Sequence, residues 1–224
     1  MTAAGAAGRE GRDMTPDAAR PPGAILLAGG RASRVGGAAK PLFEVNGRTL
    51  LAHAVDAVDG CRPVTIAASA LPGAESWPHV SWVREEPPFG GPAAGIVAAL
   101  ASWPPEEDPE WTLVLACDLP RAGEAVARLR ADLPLLPVDA DGLCLADASS
   151  RPQWLTGMYR TAALRARAEA LPGRGANLPV REIVEDLSIT VIADAWGLSA
   201  DIDTWEDVDR ARRSATDESK ESGA

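Results

Sequence analysis

The sequence predicts one α/β domain with a mostly parallel central sheet that helices cover on both faces. Two patterns carry this prediction. Apolar runs of strand length alternate along the chain with segments of helical periodicity, and these runs are continuously apolar, as expected of strands buried on both faces. The 224 residues are enough for one domain with a sizeable core, and neither a linker nor an internal repeat divides them.

The predicted elements alternate in order along the chain. In the first half, apolar runs predict strands and amphipathic or small-residue segments predict helices: strands at 24–28, 64–68, 79–83 and 112–116, and helices at 48–58 and 92–102. In the second half, the same patterns predict helices at 124–133, 160–171, 180–187 and 204–213, and strands at 141–147, 151–160 and 188–193. Thr204 and Asp207 are spaced almost as in a capping box for the last helix.

Composition and net charge argue against a nucleic-acid-binding protein and against a membrane-spanning one. The net charge of −10 argues against a polynucleotide partner, because DNA and RNA binding depends on an excess of Lys and Arg. No apolar run approaches the ~20 residues that a membrane-spanning helix needs. The three cysteines form no CxxC pair, and the first 22 residues lack the apolar centre of a signal peptide. We therefore expect a cytoplasmic protein whose domain spans residues 23–213, with disordered tails at 1–22 and 214–224.

A glycine-rich segment, LAGGRASRVGG at residues 27–37, follows the first predicted strand and precedes Lys40 and Pro41. Glycines let backbone N–H groups approach an anion closely, and Arg31, Arg34 and Lys40 add positive charge. The segment is neither a Walker loop nor a GxGxxG fingerprint. An ordinary surface loop is the alternative interpretation, but the strand before it and the Lys-Pro after it favour a nucleoside triphosphate site.

Carboxylates occur at two further positions suited to a metal ion. Asp118 follows the strand predicted at 112–116, at the sheet edge where ligands bind in α/β folds. A carboxylate there can hold Mg²⁺ beside a triphosphate. In the sequence DIDT, Asp201 and Asp203 are two residues apart, and such residues point the same way in an extended chain. Capping of a following helix is the alternative role for Asp118 and Asp203.

Five segments together resemble one enzyme family. They are the glycine-rich segment, VREEPPFGGPAAGI (83–96), LVLACDLP (113–120), RPQWLTGMYR (151–160) and DIDTWEDVDRA (201–211). They are similar to the molybdenum cofactor guanylyltransferases, the MobA-like branch of the nucleotidyltransferases, over roughly residues 23–212. Val35 and Ala39 depart from the family pattern, which has Met and Asp there.

The resemblance implies a Rossmann-like three-layer nucleotidyltransferase fold and transfer of GMP from GTP to molybdenum-bearing molybdopterin, with release of pyrophosphate. It implies Mg²⁺ as the cofactor and a molybdoenzyme apoprotein or a cofactor-delivery protein as a further partner. Mapped onto this sequence, the catalytic residues are Lys40, Arg34 and Asp118. The nucleotide-binding residues are Leu27, Ala28, Gly29, Gly30, Arg31, Lys40, Glu86 and Asp118, and the metal ligands are Asp118, Asp203 and, more weakly, Asp201.

The sequence does not decide which nucleotide the protein uses or which phosphorylated acceptor receives the nucleotidyl group. Gly29-Gly30 matches the guanylyl branch, whereas the cytidylyl branch carries LAAG; Ala67, however, stands where guanylyl enzymes often have Asn. A related nucleotidyltransferase that uses CTP or another phosphorylated acceptor would share these motifs. A non-catalytic protein that binds the cofactor and delivers it is the alternative of another class.

Overall fold

The computed structural model describes residues 20–29, 34, 35, 38–69, 71, 76–202, 204 and 206–213. Its strands are β1 (Gly23–Leu27), β2 (Arg34–Val35), β3 (Ala38–Ala39), β4 (Glu44–Val45), β5 (Arg48–Thr49), β6 (Val64–Ala67), β7 (Val80–Val83), β8 (Trp111–Ala116), β9 (Gly142–Ala146), β10 (Pro152–Arg160) and β11 (Ile189–Ala193). Its helices are α1 (Leu50–Ala57), α2 (Pro92–Ala101), α3 (Ala122–Asp132), α4 (Thr161–Ala170), α5 (Arg181–Val184) and a C-terminal helix at 206–213. Every predicted strand and helix is therefore present, with small shifts in its bounds.

Seven strands form the central sheet of the described chain, in the order β11-β9-β10-β8-β1-β6-β7. Neighbouring strands run parallel throughout, except that β10 is antiparallel to both β8 and β9. The carboxyl ends of the parallel strands therefore share one edge of the sheet with the start of β10. The predicted mostly parallel sheet is confirmed.

Helices cover both faces of this sheet, which gives the three layers that the sequence predicts. One face packs against α1 and α3 through an apolar cluster that includes Leu26, Leu51 and Leu129. The other face packs against α2 and α4 through a second cluster that includes Ile25, Ile96 and Leu164. Adjacent residues of β1 enter opposite clusters because side chains alternate along a strand, which explains why the strand is continuously apolar.

Two short hairpins and the C-terminal helix complete the fold near the carboxyl ends of the strands. In the first hairpin β2 pairs with β3, and in the second β4 pairs with β5. The sequence pattern placed 48 and 49 in the following helix; instead they form β5, and the Thr49 hydroxyl accepts a hydrogen bond from the Ala52 N–H at 3.1 Å to cap α1. The Thr204–Asp207 capping box is present, with the Asp207 N–H donating to the Thr204 hydroxyl at 3.2 Å.

The ends of the chain lie mostly outside the described residues, so the tails predicted at 1–22 and 214–224 remain predictions. Residues 20–22 are described and contact the domain. The Arg62 N–H donates to the Pro22 carbonyl at 2.8 Å, and the Arg20 guanidinium donates to the Glu106 carbonyl at 3.3 Å. Among the described residues, no helix has the length and apolar character needed to cross a membrane.

Candidate functional site

A cleft of about 190 Å³ opens at the carboxyl edge of the sheet. It crosses the strands in their spatial order, from β10 at one end, over β8 and β1, to β6 and the segment after β7 at the other end. The start of α2 closes one side. The lining residues are Leu27, Gly29, Ala67, Glu85, Gly91, Pro92, Gly95, Ala116, Asp118 and Leu155. This is the place where ligands bind in open α/β sheets.

The glycine-rich segment enters the cleft at the end of β1. Leu27 and Gly29 line the cleft. Ala28 is buried, and its N–H donates to the Ala67 carbonyl at 3.4 Å, so this N–H is engaged within the sheet. Gly30 and Arg31 lie outside the described residues. The structure therefore brings two of the predicted backbone contacts to the cleft and places Ala28 behind it.

The predicted basic residues follow this segment. Arg34 forms part of β2, opposite Ala39 of β3, and its side chain is outside the described part of the structure. Lys40 begins a short 3-10 turn, Lys40–Leu42, and is 7% exposed. Lys40 is not among the residues that line the described cleft. Its phosphate-binding role stays a prediction.

Asp118 enters the cleft because β8 ends at Ala116, two residues before it. The alternative role of Asp118 as a helix cap does not hold, since α3 begins later and its N-cap residue is Arg121. Burial raises the pKa of the adjacent Cys117 thiol well above its ordinary value, and the Asp118 carboxylate raises it further. The thiol therefore stays protonated at neutral pH.

The second predicted carboxylate segment lies against Asp118. The Ile202 N–H donates to the Asp118 carbonyl at 3.1 Å, which joins the DIDT sequence to the end of β8. Asp201 is exposed and lines a neighbouring pocket of about 310 Å³, together with Trp196. Asp203 lies outside the described residues. The structure thus brings the DIDT segment to the end of β8, and Asp201 lines a different pocket. The metal-binding roles of Asp201 and Asp203 stay predictions.

A magnesium ion fits the donors that the cleft offers. Within the described ranges, no three or more His, Cys, Asp or Glu side chains are grouped to hold a metal ion. Mg²⁺ at nucleotide sites needs less than that, because one or two carboxylates and the substrate phosphates complete its oxygen shell. Asp118 lines the cleft at the end of β8 and provides such a carboxylate. The cleft therefore has the chemistry of a metal–nucleotide site rather than of a metal cage.

The two acidic residues after β7, Glu85 and Glu86, line two different pockets. Glu85 is 9% exposed, lines the cleft, and accepts a hydrogen bond from the Phe89 N–H at 3.0 Å. Glu86, the residue predicted to bind the nucleotide, is exposed and lines a separate groove on the outer side of α2. β7 ends at Val83, which lines the same groove as Glu86, so strand alternation does not account for the separation of the two carboxylates. The structure thus brings Glu85 to the cleft, and the nucleotide-binding role predicted for Glu86 stays a prediction.

The start of α2 approaches the cleft closely. Gly91 has a φ of 90°, a conformation that favours glycine, and it directs the chain into the helix. At Gly95, a Cβ atom would lie 3.0 Å from Leu27 Cδ2, so the glycine lets the helix lie against β1. Beneath the turn, the Asn177 N–H donates to the Gly90 carbonyl at 2.6 Å. The N-terminus of α2, which carries a partial positive charge, is therefore fixed at the cleft.

Seven lining residues were not among the predicted site residues: Ala67, Glu85, Gly91, Pro92, Gly95, Ala116 and Leu155. The acidic pair after β7 marks this region of the sequence, but no local pattern distinguishes Glu85 from Glu86. Ala116 follows from the end of β8. No local pattern marks Leu155, because its place depends on how β10 pairs with both neighbours.

Comparison with known proteins agrees with this geometry. The family model described as the MobA-like NTP transferase domain matches residues 24–190. A molybdenum cofactor guanylyltransferase of Bradyrhizobium sp. is 35% identical over 51% of this chain and 49% of its own length. A probable molybdenum cofactor guanylyltransferase of Synechococcus elongatus is 38% identical over 62% of this chain and 72% of its own length. The match thus spans about half of the first of these relatives.

A solved structure shares the fold. The chain resembles molybdopterin-guanine dinucleotide biosynthesis protein A from Archaeoglobus fulgidus with a TM-score of 0.62 and 19% sequence identity. The alignment covers 87% of this chain and 98% of that protein. The two proteins therefore share their overall fold.

Proposed function

The chain belongs to the MobA-like NTP transferase family, and we propose that it transfers GMP from GTP to the terminal phosphate of molybdopterin. A phosphate oxygen of the acceptor attacks the α-phosphorus of GTP. The bond from that phosphorus to the oxygen bridging the β-phosphate breaks, and pyrophosphate leaves with the electron pair. The names of the relatives support the two substrates, and the observation that carries the proposal is the Asp118 carboxylate in a glycine-walled cleft at the carboxyl edge of the sheet.

Phosphate charge is neutralised by groups on both sides of the cleft in this proposal. The N-terminus of α2 faces the cleft with its partial positive charge, and Gly29 leaves room for a phosphate to approach the backbone. Lys40, Arg34 and Arg31, from the segment after β1, add full charges. Catalysis of this kind consists of positioning and electrostatic stabilisation, because the acceptor phosphate is itself the nucleophile.

Asp118 is the residue that we propose holds Mg²⁺, with Asp203 as a second ligand and Asp201 as a weaker candidate. When bound, Mg²⁺ neutralises phosphate charge and orients the reacting groups. The hydrogen bond between the Ile202 N–H and the Asp118 carbonyl supports this assignment, because it holds the DIDT segment beside the strand end. The exposed position of Asp201 in the neighbouring pocket makes it the less suitable of the two.

Guanine recognition in this proposal falls on Glu85. A carboxylate accepts hydrogen bonds from the N1–H and the 2-amino group of guanine, a pair of donors that cytosine lacks. Ala67 at the same end of the cleft has no polar side-chain atom, and its carbonyl already accepts the Ala28 N–H. Glu85 is thus the described side chain best placed to select the purine, in the role predicted for Glu86.

The decisive experiment measures pyrophosphate release with Mg²⁺ and molybdopterin, comparing GTP, CTP, ATP and UTP. We expect release with GTP and at least about a hundredfold loss in Asp118→Asn, since removal of one preorganised charge-stabilising group typically costs that much. Asp139→Asn, which neutralises an exposed carboxylate in a loop, is the matched control and should keep full activity.

Other results of the pyrophosphate-release assay would support other functions. Preference for CTP assigns the chain to cytidylyl transfer, and release with none of the four nucleotides contradicts the proposal. A protein that only delivers the cofactor would keep its complex with a molybdoenzyme apoprotein in Asp118→Asn and would show no turnover in either form.

The proposal also covers the protein that receives the product and the compartment in which the reaction takes place. A molybdoenzyme apoprotein or a cofactor-delivery protein would receive the dinucleotide, and the reaction would take place in the cytoplasm. Neither a nucleic acid nor a membrane has a role in it. Co-purification of the cofactor-loaded protein with an apoenzyme is the direct test of the recipient.

A further inference from the structure

The start of β10, at the end of the cleft next to Asp118, is irregular. Along β9, Leu145 pairs with Gln153 and the adjacent Cys144 pairs with Gly157, so residues 154–156 of β10 have no counterpart on that strand. On its other side β10 stays in register with β8, where Thr156 lies opposite Leu115. The three extra residues therefore form a bulge directly beside the end of β8.

The Tyr159 hydroxyl ties this bulge to the sheet. Tyr159 is 1% exposed, and its hydroxyl donates to the Trp154 carbonyl at 2.7 Å. Burial raises the pKa of Tyr159 well above its ordinary value, with a smaller contribution from Cys144, so the hydroxyl keeps its proton and remains a donor. The bond satisfies a backbone carbonyl in a stretch that lacks partners on β9.

Gly157 leaves the space that this arrangement needs. A Cβ atom at that position would lie 2.8 Å from the Tyr159 hydroxyl oxygen and 2.7 Å from the Leu143 carbonyl oxygen. The close approach explains why a glycine interrupts an otherwise apolar strand. The tyrosine side chain thus runs back along its own strand, past Gly157, to reach residue 154.

The bulge determines which side chain enters the cleft. Leu155 lines it beside Ala116 and Asp118. In the strand order, β10 and β8 form one end of the cleft, whereas Ala67 and Glu85 belong to the opposite end. If the nucleotide base lies at the Glu85 end, Leu155 borders the end from which the acceptor phosphate reaches the α-phosphorus.

We infer that Tyr159 is a positioning residue for the acceptor: its hydroxyl holds the bulge that places Leu155 in the cleft wall at the acceptor end. The inference rests on the proposed function for the identity of the two ends. Tyr159 touches no substrate in this scheme; it acts through the backbone of residue 154 and through Leu155.

The test compares Tyr159→Phe, which removes only the hydroxyl, with Thr161→Val as a matched control. Thr161 is also buried, and its hydroxyl lies 2.8 Å from that of Thr112, at the other end of β10. Both variants lose one buried hydroxyl bond and should lose similar thermal stability. Only Tyr159→Phe should speed amide hydrogen exchange in residues 152–158.

The kinetic readout separates the two substrates. In Tyr159→Phe the KM for molybdopterin should rise about fivefold, the equivalent of one ordinary hydrogen bond, while kcat and the Kd for GTP stay within about twofold of wild type. Leu155→Ala should raise the same KM without changing Tyr159. A rise in the GTP Kd instead, an unchanged acceptor KM in Leu155→Ala, or equal exchange in Tyr159→Phe and Thr161→Val would each overturn the inference.

If the proposed function is wrong, the experiment gives a different result from the one that overturns the role of Tyr159. It appears as no pyrophosphate release by the wild-type protein with any of the four nucleotides. The hydrogen-exchange comparison needs no substrate and in that case still decides whether Tyr159 holds the bulge.

Discussion

Gly95→Ala probes the closest approach of a helix to the proposed nucleotide. The added Cβ would lie 3.0 Å from Leu27 Cδ2 and 3.3 Å from Ala67 Cβ, and all three residues line the cleft. Carbon atoms normally rest about 3.5–4.0 Å apart, so α2 or Leu27 must move by about 0.5 Å. The overpacking costs about 2 kcal/mol, and the better helix propensity of Ala returns about 1 kcal/mol.

The expected free energy of unfolding therefore falls by about 1 kcal/mol, a loss of about 2–4 °C in Tm for a chain of this size. Nucleotide binding should suffer more, because binding groups must be held within about 0.5 Å of their productive positions. We expect about a tenfold rise in the Kd for GTP, measured by calorimetric titration with Mg²⁺ present.

Gly123→Ala is the matched control for this prediction. Gly123 lies in the first turn of α3, and a Cβ there would meet nothing within 4 Å. The control should gain about 0.5–1 kcal/mol of stability and bind GTP as the wild type does. An unchanged GTP affinity in Gly95→Ala, with the protein folded, would show that this wall of the cleft does not contact the nucleotide.

Two further predictions concern carboxylates. Glu85→Gln should weaken GTP binding by about tenfold or more, the worth of a hydrogen bond to a charged group, whereas Glu86→Gln should change it by less than about twofold; equal effects in parallel titrations would contradict the assignment. Burial opposes ionisation of Asp194, but hydrogen bonds from Ser199 and from nearby backbone N–H groups outweigh it and lower the pKa. Its stabilising effect is therefore present above the unfolded pKa of about 3.9 and is lost as pH falls through the lowered folded pKa. Asp194→Asn should accordingly unfold at lower urea than wild type at pH 7, and this difference should shrink near pH 3.

The strands could be predicted because burial of a strand on both faces requires a continuous run of apolar residues in the sequence. A strand covered on both faces needs apolar residues at nearly every position, and β1 and β8 have them, apart from Thr112, whose buried hydroxyl bonds to that of Thr161. The error at residues 48 and 49 had a local signal that the helical pattern concealed. Asn46 and Gly47 both have positive φ and form the two-residue turn of the β4–β5 hairpin, and Asn-Gly is a strong hairpin signal.

The candidate site was predictable only where one strand end determined it. Asp118 follows from the end of β8, and Gly29 follows from the end of β1. Glu85 and Glu86 lie beyond the end of β7, in a segment that is neither strand nor helix, so strand alternation does not decide which of them faces the cleft. Sequence patterns locate element ends to within a few residues, which is enough to find the cleft and too coarse to decide this pair.

Leu155 illustrates a contribution that local patterns cannot reveal. In a wholly parallel sheet, every strand would supply its carboxyl end to the cleft. Because β10 is antiparallel to β8 and β9, it supplies its beginning instead, next to the end of β8. The residue that reaches the cleft is then set by the bulge, and the bulge depends on Tyr159, four residues further along the same strand. The sheet order thus separates the two proposed specificities, with the base at the β6–β7 end and the acceptor at the β10 end, so substitutions at Glu85 and at Tyr159 should change the affinity for different substrates.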